Sequence, residues 1–109
     1  MMLLTKENKK SLPALYSTDG VIKPQDKICQ VKYFHPFSAM TWYAVEFNPE
    51  EGLFFGWVYN GEMSEWGYFS LEEFESCKVR GLGMERDMYF TPKPMKEVPN
   101  YDKYGLFTE

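Results

Sequence analysis

Two carboxylates and one imidazole are the groups of this chain whose chemistry could support catalysis. Glu46 and Glu65 fall on the same side of the predicted strands, and paired carboxylates in different environments can divide acid and base roles. His35 is the single histidine, but its place before Pro36 at a strand end is typical of a hydrogen-bonded structural histidine. The sequence contains no GxSxG or HExxH motif, no Walker loop and no cluster of metal ligands. We therefore expect a non-enzymatic protein that needs no metal or cofactor, with a small hydrolase-type enzyme as an alternative.

Glu85, Arg86 and Asp87 form a second cluster that could do chemistry. Arg86 lies between two carboxylates in an otherwise apolar segment. Its guanidinium could bind a carboxylate or phosphate from outside, or make an internal ion pair that fastens the last segment to the sheet. Both interpretations stay open. Residues 81–86 begin like a dinucleotide-binding fingerprint, but Arg86 stands where the third glycine belongs, so we reject nucleotide binding here.

Charge is distributed very unevenly along the chain, although the net charge is only −4. Between Tyr33 and Cys77 there is no lysine or arginine, and this stretch contains eight glutamates. Those predicted to lie in a hairpin loop and on a helix are Glu50, Glu51, Glu72, Glu73 and Glu75. They either keep turns and one helix face in solution or form an acidic surface that attracts a basic protein groove. We expect the acidic surface to carry partner binding.

Basic residues are concentrated outside this stretch. Lys78, Arg80 and Arg86 follow it, and clustered cationic side chains neutralise phosphates. A nucleic-acid-binding accessory protein that uses these three residues is therefore an alternative function. The acidic middle argues against it, because it repels DNA and RNA.

The pattern of apolar runs and turns predicts one α+β domain over residues 1–95, followed by an irregular tail over 96–109. Thr5 and Ser70 are typical N-cap residues, so short helices should follow them, over 5–12 and 71–77. The loop 48–52 and the Asn60-Gly61 pair connect apolar runs as hairpin turns do. We expect a four-stranded antiparallel meander with strands over 28–35, 41–47, 53–59 and 62–69, and a last extended segment over 84–90.

The lengths of the two hairpin turns predict which side chains share a face. A five-residue loop and a two-residue turn place Val45 opposite Phe55 and Phe55 opposite Trp66. The predicted core face then comprises Tyr43, Val45, Phe47, Leu53, Phe55, Trp57, Trp66 and Tyr68. On the other face, Trp42, Phe54 and Phe69 surround small residues. That shallow aromatic face is either covered by a helix or exposed for a partner, and we count its three aromatic residues as candidate partner contacts.

Composition also predicts the compartment. The chain has no apolar run of about 18 residues, the length of a membrane span, and residues 1–6 reach polar side chains too early for a signal peptide. Cys29 and Cys77 lie far apart, and we expect free thiols rather than a disulfide. We therefore expect a cytoplasmic protein without membrane contact, and a homodimer stays open.

Several segments resemble a small bacterial family that is classed as a domain of unknown function. They are Thr41-Trp42-Tyr43, the loop 48–52, Phe54-Phe55-Gly56, residues 67–71 and residues 81–90. The likeness extends from Leu3 to Pro94. Members of that family are carried largely on plasmids, phages and other mobile elements, often near anti-restriction genes. The resemblance implies a mobile-element passenger in a bacterial cytoplasm and transfers no catalytic residue.

The resemblance and the acidic middle together lead to one expectation about function. The protein should inhibit a host defence component, a restriction or CRISPR nuclease, by protein–protein contact. Such nucleases hold DNA in basic grooves that an acidic protein can occupy, and the contact should be sensitive to salt.

Overall fold

The computed structural model describes residues 1–101, which form a single α+β domain. Its strands are, in chain order, β1 (Ile28–Cys29), β2 (Val31–Phe34), β3 (Thr41–Asn48), β4 (Leu53–Tyr59), β5 (Ser64–Ser70), β6 (Lys78–Val79), β7 (Leu82–Gly83), β8 (Glu85–Arg86) and β9 (Lys93–Pro94). Five of them form an antiparallel sheet in the order β5-β4-β3-β2-β8, and the pairs β1-β9 and β6-β7 form small ladders of their own.

Two short helices begin at the predicted caps. Helix α1 (Lys6–Ser11) follows Thr5, whose hydroxyl accepts a hydrogen bond from the Asn8 N–H while the Asn8 side chain binds the Thr5 N–H. Helix α2 (Leu71–Ser76) follows Ser70. Single 3-10 turns cover Pro24–Asp26 and Met95–Glu97. The predicted helices are confirmed, because the local side-chain caps that start them are visible in sequence.

The main sheet has five strands, one more than the predicted four-stranded meander. β8 pairs with the free edge of β2, with Tyr33 opposite Arg86 and Phe34 opposite Glu85. The segment predicted as extended over 84–90 thus supplies a fifth strand of two residues. Since this pairing joins residues more than fifty positions apart, no local pattern could have shown it.

A β-bulge at Val45 overturns part of the predicted register between β3 and β4. Tyr43 pairs with Trp57 as predicted, but Glu46, not Val45, lies opposite Phe55. A bulge adds one residue to one strand, so every later side chain changes face. Phe47 therefore lies on the same face as Ala44 instead of on the predicted core face. Glu46 lies on the predicted core face, opposite Phe55.

The β4–β5 hairpin exists, but its turn is longer than predicted. Residues 60–63 form the turn, in which the Asn60 side-chain oxygen accepts hydrogen bonds from the N–H groups of Glu62 (2.9 Å) and Met63 (2.7 Å). Phe55 therefore pairs with Tyr68 instead of Trp66. Because the shift is two residues, the faces of β5 are unchanged.

Both faces of the sheet are covered, so the molecule has two apolar clusters. The first includes Trp42, Phe54 and Phe69, and α2 closes it with Phe74, whose ring lies 5.1 Å from Trp42 and 5.5 Å from Phe69. Phe54 is fully buried. The interpretation of this face as exposed for a partner is therefore corrected: α2 covers it.

The second cluster contains residues that were predicted to lie in the tail. Val98 and Tyr101 are buried against Trp57 with Met95, which places the chain through residue 101 inside the domain. Val98 and Tyr101 thus extend the apolar cover of this face past residue 95, where the sequence predicted the irregular tail to begin. The rest of the predicted tail, residues 102–109, lies outside the described residues. Among residues 1–101, no helix has the length and apolar character needed to cross a membrane.

Candidate functional site

Four exposed glutamates from two separate segments lie at the same end of the sheet, and we call them the acidic end. They are Glu50 and Glu51 in the β3–β4 loop and Glu72 and Glu73 in α2. The N–H of Leu71 donates to the carbonyl of Gly52 over 2.9 Å, and Leu53 pairs with Ser70. These backbone contacts bring the loop against the first turn of α2, so the two glutamate pairs become neighbours.

Local hydrogen bonds hold both segments of the acidic end in place. The Asn48 side-chain oxygen accepts the N–H of Glu50 over 2.9 Å, and its amide donates to the Glu51 carboxylate over 3.1 Å. Gly52 closes the loop with a φ of +65°, a conformation that favours glycine. The Ser70 hydroxyl accepts the N–H of Glu73 over 3.2 Å. The four carboxylates are therefore carried on an ordered backbone.

The charge of the acidic end is not neutralised within the described part of the chain. The ion pairs among residues 1–101 join Lys27 to Glu46, Lys32 to Asp87 and Lys96 to Asp26, and none involves the acidic end. The reason is visible in the sequence, since no lysine or arginine occurs from 33 to 77. Four exposed negative charges remain available to a cation from outside.

Glu75, the fifth glutamate predicted for partner binding, faces a different surface. It lines an open groove of about 820 Å³ together with Lys78 and Glu85, and Met1 and Met84 are among its apolar walls. A cation and a second carboxylate therefore share its surroundings, unlike those of the acidic end.

Glu46 is the centre of a buried polar cluster that the sequence did not reveal. Its side chain is only 2% exposed, and its carboxylate accepts hydrogen bonds from the N–H of Tyr16 (2.7 Å), the N–H of Thr18 (3.1 Å) and the Thr18 hydroxyl. The ammonium of Lys27, itself buried, lies 3.9 Å from the carboxylate and donates to the Thr18 carbonyl over 3.0 Å. Burial of a charged group is strongly unfavourable unless such hydrogen bonds and an opposite charge compensate for the lost contact with water.

The bulge at Val45 explains why this cluster forms. The segment before β1 runs beside β3, with Phe47 donating its N–H to the Pro13 carbonyl over 2.9 Å. The extra residue turns Glu46 toward this segment. Glu46 is a lone acid in the apolar run 42–47, which was the available sequence signal that it is not an ordinary surface carboxylate.

A cavity of about 230 Å³ opens beside this cluster. Glu46 and Lys27 lie in its wall with Asp19 and Pro24, and its other lining residues are the aromatic residues Tyr16, Phe55, Trp66 and Tyr68. The arrangement combines a buried ion pair with a row of rings.

Tyr68 lies at the mouth of this cavity. A hydrogen bond with the Tyr16 side chain raises the pKa of Tyr68, and the negative charges of Glu46 and Asp19 act in the same direction. The Tyr68 side chain is exposed, so an incoming molecule would meet it.

The Arg86 cluster is organised differently from the predicted internal ion pair. Arg86 donates through Nε to the carbonyl of Met2 over 3.1 Å, and no carboxylate within residues 1–101 pairs with it. Asp87 pairs instead with Lys32 at 3.3 Å, and its N–H donates to the Lys32 carbonyl over 2.9 Å. The last segment is thus fastened to the sheet by Asp87, the β2–β8 ladder and the N-terminal backbone.

His35 is buried and has partners on both ring nitrogens. Nδ1 accepts the N–H of Phe37 over 3.0 Å, so Nε2 carries the proton and donates to the Leu82 carbonyl, also over 3.0 Å.

Glu46 and Glu65 do not approach each other. Glu65 is exposed and lines a shallow pocket with Val58 on the face opposite Glu46, because the bulge turned Glu46 away. The structure therefore excludes an acid–base pair of these two carboxylates, and of the two only Glu65 is a solvated strand carboxylate.

The basic residues of the alternative function lie on or between strands of two residues. Lys78 is in β6, and the exposed Arg80 has a φ of +54° in the β6–β7 turn, with its guanidinium 5.4 Å from the Phe37 ring centre.

Both cysteines are free, with Cys29 buried and Cys77 half-buried. Residues 1–101 contain no group of three or more acidic, histidine or cysteine side chains that could hold a metal ion.

The fold and these features define a small α+β domain with one acidic end and one aromatic cavity. The chain belongs to the family described as Protein of unknown function (DUF2958), whose model matches residues 3–103. The resemblance to a domain of unknown function is thereby confirmed. Neither the curated proteins nor the solved structures contain a match to this chain.

Proposed function

We propose that this protein is a non-enzymatic inhibitor that binds a basic protein partner through its acidic end. The partner is a host defence nuclease of the restriction or CRISPR type, and the inhibitor is a mobile-element protein that acts in the bacterial cytoplasm. The observation that carries the proposal is the Gly52–Leu71 contact, which joins Glu50 and Glu51 to Glu72 and Glu73.

The physical argument is charge complementarity. A compact group of exposed carboxylates without internal counter-ions creates a negative potential, which accelerates encounter with a basic surface and repels nucleic acid. A nuclease holds its substrate with lysine and arginine, so an acidic end of this kind competes with DNA phosphates for the same groove.

The test compares partner capture by two charge-reversed variants. The first replaces Glu50, Glu51, Glu72 and Glu73 by lysine. The matched control makes the same charge change at four exposed glutamates elsewhere: Glu7, Glu62, Glu65 and Glu97. Each protein is immobilised, exposed to host lysate at low and high salt, and any captured protein is purified for affinity measurement and a DNA-cleavage assay.

We expect the acidic-end variant to lose affinity at least about tenfold, equivalent to about 1.4 kcal/mol, while the control keeps more of the affinity. Wild-type binding should weaken as salt rises, and the captured protein should cleave DNA more slowly in its presence. Circular dichroism checks that both variants are folded. Equal affinity of the folded acidic-end variant and wild type would rule out this surface, and a gel shift of DNA or RNA by wild type would favour the nucleic-acid alternative.

A further inference from the structure

The aromatic cavity beside Glu46 has walls suited to a flat cation. The Phe55 ring lies 5.5 Å from Trp66 and 5.1 Å from Tyr68, and the Tyr16 ring lies 6.1 Å from Tyr68, so the four rings form a continuous row. Tyr16 and Tyr68 are 61% and 53% exposed. Both rings are therefore accessible from solution, and the faces of aromatic rings carry partial negative charge.

The charges that line the cavity favour a cation over an anion. Lys27 is compensated, since its ammonium lies 3.9 Å from Glu46 and donates to the Thr18 carbonyl. Asp19 is exposed and has no ion-pair partner among residues 1–101, so the lining carries one net negative charge. The Tyr16 hydrogen bond is the main cause that raises the pKa of Tyr68, and the negative charges of Glu46 and Asp19 act in the same direction.

The size and position of the cavity identify the kind of occupant. Its volume of about 230 Å³ is below the range of about 300–1,000 Å³ that is usual for small-molecule sites, and it suits one long side chain. Tyr68 precedes Ser70 by two residues, about 7 Å along a strand, and Glu46 precedes Asn48 by the same interval. The cavity therefore lies at the same end of the sheet as the acidic end.

We propose that this cavity is a socket for one arginine side chain of a protein partner, with the guanidinium against the Tyr68 ring and close to the Asp19 carboxylate. A planar, delocalised guanidinium stacks on aromatic rings and is less strongly hydrated than an ammonium, which makes arginine the better occupant than lysine. The assignment of this arginine to a partner rests on the proposed function. The binding of an arginine side chain in this cavity does not depend on the proposed function.

The experiment uses N-acetyl-L-arginine amide as the probe and follows the full chain by two-dimensional NMR. N-acetyl-L-citrulline amide, which has a neutral urea of nearly the same shape, is the matched control probe, and N-acetyl-L-aspartate amide tests for anion binding. The signals are the Trp66 indole N–H and the Tyr68 backbone N–H. The Trp42 indole N–H, on the opposite face against Phe74, is the internal reference.

We expect the arginine probe to shift the Trp66 and Tyr68 signals saturably in the millimolar range, with citrulline at least tenfold weaker. Tyr68→Leu and Asp19→Asn should weaken the arginine probe about two- to tenfold each, whereas Glu62→Gln, outside the cavity, should not. Equal binding of citrulline, preference for aspartate, the absence of a saturable shift, or full affinity in the two cavity variants would each overturn the proposal.

The two proposals fail in different ways. If the acidic-end variant loses the captured partner while Tyr68→Leu keeps it at full affinity, the partner-bound socket is wrong and the proposed function stands. If the arginine probe binds as expected but the acidic-end variant captures its partner as tightly as wild type, the socket stands and the acidic-end function is wrong.

Discussion

Gly56 lies so close to Tyr43 that a β-carbon at Gly56 would stand 2.0 Å from the Tyr43 carbonyl oxygen. The two strands meet just before the bulge, where Gly56 is paired with Ala44 on β3 and with Gly67 on β5. The three nearest atoms, the carbonyl oxygen and carbon of Tyr43 and the Cα of Ala44, all belong to the backbone and cannot move aside independently. This approach makes Gly56 the position where β3 and β4 tolerate no side chain.

Gly56→Ala should therefore destabilise the protein strongly. Overpacking that forces backbone apart costs about 1–3 kcal/mol or more, and we expect a loss near the upper end, about 3 kcal/mol, in urea unfolding. Gly67→Ala is the matched control, because a β-carbon there meets no atom within 4 Å. It should change the free energy of unfolding by no more than about 1 kcal/mol. Similar losses in the two variants would contradict the close approach.

Removal of the Glu46 side chain should cost more than removal of any surface glutamate. Glu46→Ala leaves the Lys27 charge buried without its counter-ion and two N–H groups without their acceptor, which costs about 3–5 kcal/mol. Glu65→Ala, at an exposed position, should stay within about 0.5 kcal/mol. The measurement is urea unfolding followed by tryptophan fluorescence.

The double variant Glu46→Leu with Lys27→Met separates the charge effect from the packing effect. Replacing both members of a buried ion pair by apolar side chains is often close to neutral. We therefore expect it to recover most of the stability that Glu46→Ala loses. A double variant as unstable as Glu46→Ala would show that the hydrogen bonds to Tyr16 and Thr18, rather than the buried charge, set the cost.

Stability should fall in alkaline solution because buried tyrosines resist ionisation. Burial raises the pKa of Tyr43 from its ordinary 10.0 to about 12, and burial also raises the pKa of Tyr33. Between pH 10.0 and about 12 the unfolded chain has lost the Tyr43 proton, whereas the folded chain keeps it. The free energy of unfolding therefore decreases as the pH rises from about 10. Urea unfolding at pH values below and above 10 measures the slope.

Tyr43→Phe should make that alkaline slope shallower, since phenylalanine cannot ionise. Tyr89→Phe is the control, because the Tyr89 side chain is 95% exposed, and its slope should match wild type. If Tyr43→Phe and wild type lose stability at the same rate above pH 10, Tyr43 does not contribute to the alkaline effect.

The two thiols should differ sharply in reactivity. Cys29 has no exposed surface, and burial raises the pKa of its thiol, so both access and thiolate formation are suppressed; Cys77 is only half-buried. A thiol reagent should label Cys77 first in the native protein and Cys29 only after unfolding in urea. Cys77→Ser should leave a native protein almost without labelling. Fast labelling of native Cys77→Ser would contradict the buried environment of Cys29.

Local chemistry in the sequence determined the elements of this protein. Thr5 and Ser70 start the two helices, and the runs around 48–52 and Asn60 turn the chain between β3, β4 and β5, because caps and turns depend on a few adjacent residues. The accumulation of glutamate without lysine or arginine from 33 to 77 is likewise a property of the sequence itself. Helices, the two hairpins and the acidic surface segments were therefore predictable.

Tertiary structure alone decided how those elements combine. One extra residue at Val45 exchanged the faces of Glu46 and Phe47, β8 reached β2 from far along the chain, and the Gly52–Leu71 contact joined the two halves of the acidic end. Each outcome depends on backbone pairing between distant residues. Such pairing is selected by the burial of both sheet faces together, and its energy is not contained in any single segment.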